Sequence, residues 1–69
     1  MTLQQLKYVI TIANTGSMHT AAESLFITQP NLSKAIRDLE EEMGIIIFNR
    51  TNKGVLLTED GLKFLSYAR

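Results

Sequence analysis

Over most of this chain, apolar residues recur with a helical period. Leu3, Leu6, Ile10 and Ala13 follow at three- and four-residue steps, with Val9 and Ile12 beside them, and predict an amphipathic first helix. Thr2-Leu3-Gln4-Gln5 reads as a capping box: the Thr2 hydroxyl and the Gln5 amide each serve the other's backbone N–H. Asn14-Thr15-Gly16 stops this helix, with Gly16 suited to a left-handed cap. Ser17 then caps a short second helix whose apolar positions are Met18, Ala21, Ala22 and Leu25. The two alanines leave room for another helix to approach. Phe26-Ile27 predicts a tight turn.

Thr28 caps a third helix, and Pro30 falls in its first turn, where the missing N–H loses no bond. The helix is predicted to run to about Met43 and to end at Gly44. At 100° per residue, Leu32, Ala35, Ile36, Leu39 and Met43 share an arc of about 100°. Pro30, Lys34, Arg37 and Glu41 lie opposite; Gln29 and Ser33 flank that polar face on one edge, Asn31 and Asp38 on the other.

Beyond Gly44 the pattern changes. Ile45-Ile46-Ile47-Phe48 predicts a strand, Asn49 to Gly54 a polar hairpin loop, and Val55-Leu56-Leu57 the returning strand. Thr58 caps a last helix, with Glu59 and Asp60 at its positive end and Leu62, Phe64, Leu65 and Ala68 on its buried side. That helix shows no stop signal before Arg69, so the sequence reads as a piece of a longer protein. The resulting class is mainly α: a winged helix-turn-helix over 1–57 with a three-helix core and a two-stranded β-hairpin wing, then the start of a C-terminal linker helix over 58–69. Leu32, Ile36 and Leu39 are expected to face Ala21, Ala22 and Leu25, with Phe48 tying the hairpin down.

Composition narrows the chemistry. Sixty-nine residues make one small domain, with a folded surface of roughly 4,400 Å² and a thin core. The chain has no cysteine and one histidine, His19. Disulfides, thiolate zinc sites, cysteine nucleophiles and multi-histidine metal sites are therefore excluded, and His19 reads as a surface residue. No apolar run approaches the ~18 residues of a membrane span, and the N-terminus has no basic stretch followed by an apolar one. Nucleophile–base pairs, glycine-rich phosphate loops and ligand clusters are not visible, so no catalytic or metal-binding residue is nominated. Seven basic and seven acidic residues cancel, so only the placement of charge can speak for a nucleic-acid partner.

That placement is uneven. Lys34 and Arg37 stand on the front of the third helix and Arg50 and Lys53 in the wing, whereas Glu40, Glu41 and Glu42 crowd the far end of the helix. A DNA major groove admits one α-helix. Gln29, Asn31, Ser33, Lys34 and Arg37 are of the types that reach base edges or phosphates, and the free N–H groups of the helix start favour a phosphate, to which Thr28 can add a hydroxyl. Each residue also has a plainer reading. Lys34, Arg37, Gln29 and Ser33 could be solvated surface groups, Asn31 a first-turn polar group, and Arg50 a structural partner for a carboxylate. Pro30 serves helix initiation first, and Lys53 is a loop charge brought near DNA if the wing tip is. The glutamate run reads as a solvated helix end, and Thr58 as a cap alone. A winged helix can also serve protein–protein contact, a reading that the neutral total favours.

Gly16-Ser17, Ala21-Ala22-Glu23, Gln29-Pro30, Leu32-Ser33, Ile36, Leu39-Glu40-Glu41-Glu42, Gly44, Phe48, Arg50, Leu57-Thr58-Glu59 and Gly61 together resemble the N-terminal DNA-binding domain of LysR-type transcriptional regulators, without gaps over essentially the whole chain. The resemblance implies a bacterial, cytoplasmic, nucleoid-associated, sequence-specific DNA-binding domain. It implies base contacts at the positions of Gln29, Pro30, Ser33 and Lys34, to which Asn31 adds an expected readout of adenine. It also implies phosphate contacts at Ser17 and Thr28, which join Arg37 and Lys53, and a wing arginine, Arg50, reaching the minor groove or backbone. The implied partners are a double-stranded operator with dyad symmetry and further copies of the chain, as dimer or tetramer through the terminal helix. No cofactor is expected in this segment; a small-molecule effector belongs to a separate C-terminal domain. Met18 stands where an aromatic is common, His19-Thr20 where a basic residue is frequent, and Asn31 where alanine is frequent.

Overall fold

Each helix begins on the hydroxyl that the sequence offers it. Residues 1–68, the Ala68 side chain excepted, are described by the computed structural model. In α1 (Leu3–Thr15) the Thr2 hydroxyl accepts from the Gln5 N–H at 3.0 Å while the Gln5 side-chain oxygen accepts from the Thr2 N–H at 3.0 Å. Ser17 caps α2 (Met18–Leu25) through the Thr20 N–H at 3.2 Å, and Thr28 caps α3 (Gln29–Met43) through the Asn31 N–H at 3.3 Å. Thr58 caps α4 (Glu59–Ala68) through the Gly61 N–H at 2.9 Å. Gly16 and Gly44 close α1 and α3 in the left-handed region, as their positions predict. Phe26 closes α2 with φ of 59°, a conformation unusual for a bulky residue, and its ring is 94% exposed.

The two strands, β1 (Phe48–Thr51) and β2 (Gly54–Leu57), are antiparallel, with Phe48 opposite Leu57 and Thr51 opposite Gly54. Only Asn52-Lys53 is left to turn the chain. This corrects the expected strand at Ile45–Phe48: Ile45, Ile46 and Ile47 lie outside the ladder because their polar groups are committed elsewhere. The Ile45 N–H goes to the Glu40 carbonyl at 3.2 Å and the Ile47 N–H to the Glu40 carboxylate at 2.7 Å. The Ile46 and Ile47 carbonyls accept from the Thr58 hydroxyl, and the Thr58 N–H donates to Ile47 at 2.9 Å. Thr58 is thus a clamp between the hairpin's entry and α4 as well as a cap.

The helices α1, α2 and α3 pack on one another, and β2 reaches both α1 and α4. Val9, Ile12, Ala21, Leu32, Leu39 and Ile47 are sealed from solvent, and Met18, Ala22, Ile36, Val55, Phe64 and Leu65 complete the core, so all four helices contribute as expected. Leu25 and Phe48 are partly buried against it; Ile47 and Val55 anchor the hairpin more deeply than Phe48 does. The folded surface is 4641 Å². Three apolar positions expected inside are not. Leu3 and Met43, at the outer ends of α1 and α3, are 86% and 44% exposed. Leu62 is 58% exposed because Gly61 takes its place: a Cβ on Gly61 would sit 2.2 Å from the Ile47 carbonyl oxygen, so α4 meets the core on its glycine edge. Ala68's side chain lies outside the described residues.

Candidate nucleic-acid interface

Leu32, Ile36 and Leu39 press one side of α3 into the core, which turns the opposite side outward. Gln29, Pro30, Asn31, Lys34 and Arg37 are all exposed there. The Thr28 oxygen is engaged in capping, but its hydroxyl proton remains available to a phosphate, and the same holds for Ser17 at the start of α2. Lys34 reaches Asp38 one turn on, at 3.0 Å, with both side chains largely exposed. Such a pair is worth little in water and releases the ammonium readily. His19 pairs with Glu23 at 3.2 Å on the surface, as its reading predicts.

Two of the nominated residues are placed differently from the rest. Ser33 is buried, and its hydroxyl accepts a hydrogen bond from the Arg50 Nη2 at 2.8 Å. Arg50 therefore lies against α3 and not out along the wing, and its structural partner is a hydroxyl and not a carboxylate. The cation at the hairpin tip is Lys53, exposed in the two-residue turn, where the Thr51 hydroxyl braces its N–H at 3.2 Å. A cleft of about 160 Å³ separates α3 from β1, with Ser33, Arg37 and Arg50 among its walls.

The hairpin is fixed relative to α3 by contacts that the spacing of residues did not signal. Glu40, expected to be solvated with its neighbours, instead accepts the N–H groups of Ile47 at 2.7 Å and Phe48 at 3.3 Å. Gly54 permits a further bond: a Cβ there would lie 2.4 Å from the Gly16 carbonyl oxygen, and the Val55 N–H donates to that oxygen at 3.0 Å. The hairpin is thereby stitched to the α1–α2 junction as well as to α3. Glu41, Glu59 and Asp60 line a different groove with Ile45 and Ile46, and Arg37 and Glu40 border both that groove and the cleft. Among the described residues no group of three or more His, Asp or Glu side chains could hold a metal ion, and no helix is long and apolar enough to cross a membrane.

Comparison with known proteins places this geometry in context. The family of bacterial regulatory helix-turn-helix proteins, lysR family, matches residues 3–62. A probable RuBisCO transcriptional regulator of Thalassiosira pseudonana is 51% identical over 67 residues, covering 97% of this chain and 22% of that protein. The HTH-type transcriptional regulator ClcR of Pseudomonas putida is 42% identical over 69 residues, covering 100% of this chain and 24% of that protein. The chain thus spans about a quarter or less of the length of these two curated relatives. Among solved structures, the crystal structure of a CbnR DBD–DNA complex superposes with a TM-score of 0.93 at 38% identity, covering 100% of this chain and 79% of that one. A BenM DBD/catB site 1 DNA complex does so with a TM-score of 0.92 at 40% identity, covering 99% of this chain and 76% of that one.

Proposed function

Because the chain belongs to the lysR family of bacterial regulatory helix-turn-helix proteins, we propose that it is a sequence-specific DNA-binding domain that places α3 in the major groove of an operator. The observation that carries this reading is the mounting of α3. Its apolar side is locked into the core, and its amide, ammonium and guanidinium side chains project from the other side. CbnR and BenM DBDs of the same fold are solved in complex with DNA, which supports the same partner here.

In this reading Gln29, Asn31 and Lys34 read base edges, Gln29 and Asn31 toward adenine and Lys34 toward guanine. Pro30 makes apolar contact beside them. Ser17, Thr28 and Arg37 hold phosphates and set the register of the helix in the groove. Lys53, at the hairpin tip, follows the adjacent backbone or minor groove. The segment 58–69 pairs copies of the chain as a dimer or tetramer, for which the exposed Leu62 and Tyr67 of α4 offer apolar surface, and the pairing sets the spacing of two half-sites with dyad symmetry. The domain works in the bacterial cytoplasm, on the nucleoid. A small-molecule effector is assigned to a separate domain of a full-length regulator.

Selection of bound duplexes from a random pool, followed by titration across salt concentrations, tests the reading. The expected result is enrichment of a short motif repeated with dyad symmetry, bound with an affinity that falls by about 0.9 log units per phosphate contact for each tenfold rise in salt. Failure to enrich any duplex, or binding flat in salt, would overturn it in favour of a winged helix that docks on protein.

A further inference from the structure

Resting on the DNA-binding reading, we propose that Ser33 acts through Arg50: the hydroxyl is a positioning group that presents the guanidinium to a backbone phosphate where α3 meets the hairpin, and it reads no base itself. Three observations converge on this. Ser33 is 9% exposed, and the Arg50 Nη2 donates to its oxygen at 2.8 Å. A hydroxyl has two acceptor sites and one donor, and here one acceptor is taken by a guanidinium from an element seventeen residues away.

Both ends of that contact are held from behind. Arg50 pairs with Val55, which is buried and bonded to the Gly16 carbonyl at 3.0 Å. Phe48, two residues back and so on the same face of β1, packs against the core, and the Glu40 carboxylate holds its N–H at 3.3 Å. The guanidinium is thus delivered to α3 by a braced strand and not by a free loop.

The third observation is the cleft between α3 and β1. Arg37, one helical turn beyond Ser33, shares its rim with Arg50, above a floor of Met18, Ile36 and Phe48. Glu40 also borders the cleft, but its carboxylate is directed to the N–H groups of Ile47 and Phe48. Arginine carries five donors in a planar fork. Ser33 engages one of them, and the others remain for a phosphate oxygen, with Arg37 as the second cation. Fixing the fork beforehand removes side-chain freedom that would otherwise be lost on binding.

The test uses the whole chain and a duplex recovered by the selection described above. S33A and R50Q should each weaken binding by about tenfold on every duplex, and each should lower the salt slope by about one per bound copy. The double variant should bind no worse than R50Q, and S33T, which keeps the hydroxyl, should restore binding. The ranking of single-base operator variants should stay the same throughout. Nuclear magnetic resonance of arginine side chains in the DNA-free protein provides a readout without affinity: the Arg50 guanidinium N–H signals should be sharp in the parent and S33T and broadened in S33A. Additive losses for S33A and R50Q, or a changed base preference at one operator position in S33A, would overturn the proposal while leaving DNA binding intact. If S33A fails to fold, S33T and R50Q still decide: a tenfold loss in S33T, or none in R50Q, is incompatible with it. A parent chain that binds no duplex would instead bring down the DNA reading, and this inference with it.

Discussion

Replacing Gly61 by alanine reverses the ordinary expectation for a helix. Alanine is about 1 kcal/mol more favourable than glycine at an interior helical position, so the substitution would stabilise an unpacked α4. Here the added Cβ would lie 2.2 Å from the Ile47 carbonyl oxygen and 3.1 Å from Leu57 Cδ2. Reaching even the 3.0 Å floor of real contacts needs a displacement of about 0.8 Å. The obstructing atom is backbone, so no rotamer change relieves it. That carbonyl also accepts the Thr58 N–H at 2.9 Å and the Thr58 hydroxyl at 3.2 Å, and Ile47 itself is sealed in the core. Moving α4 away therefore stretches its own cap. Overpacking costs about 1–3 kcal/mol, and one or two weakened hydrogen bonds add about 1 kcal/mol each. After the propensity gain, the net loss should be about 1–4 kcal/mol, out of a total near 3–10 kcal/mol for a chain of this length. Urea unfolding followed by helical circular dichroism measures it, with an unchanged slope showing that the native packing carries the effect. A Gly61→Ala protein as stable as the parent, or more so, would refute the reasoning.

Other substitutions test separate parts of the structure. Ile36→Ala, in the buried row of α3, should lower stability by about 2–5 kcal/mol in the same assay; a fully stable variant would contradict the packing of α3 on α2. Phe26→Gly should raise stability by about 1 kcal/mol, because it relieves a left-handed backbone and gives up almost no buried surface; thermal melting shifted downward would show instead that the ring is doing structural work. Lys34→Ala should relax base preference at one position of each half-site in a repeat selection. Lys53→Ala, by contrast, should weaken all duplexes alike and lower the salt slope by about one per bound copy. The opposite pattern in a binding titration would reject this division of labour between α3 and the hairpin tip.

Most of the helical architecture was legible because its signals are local. A hydroxyl preceding an apolar stripe, a glycine after it and a proline in a first turn act within a few residues, and the caps at Thr2, Ser17, Thr28 and Thr58 all form where those signals lie. The polar front of α3 was legible for the same reason, since helical periodicity alone separates Lys34 and Arg37 from Leu32, Ile36 and Leu39. The hairpin was less legible. Ile45-Ile46-Ile47 has the composition of a strand, yet it runs as a connector because Glu40 and Thr58 claim its polar groups. Nothing in a local pattern announces that a glutamate will serve an N–H seven positions later.

The chain's order of residues thus determined by itself where helices start and stop and which side of α3 is apolar, since both follow from short-range geometry and a fixed 3.6-residue turn. It left undecided which of the polar groups would stay free. Tertiary packing alone turned Arg50 onto Ser33, set Glu40 to holding the strand and exposed Leu62 in favour of Gly61. Those outcomes depend on how closely separate elements approach one another, a distance fixed only when the whole core has closed.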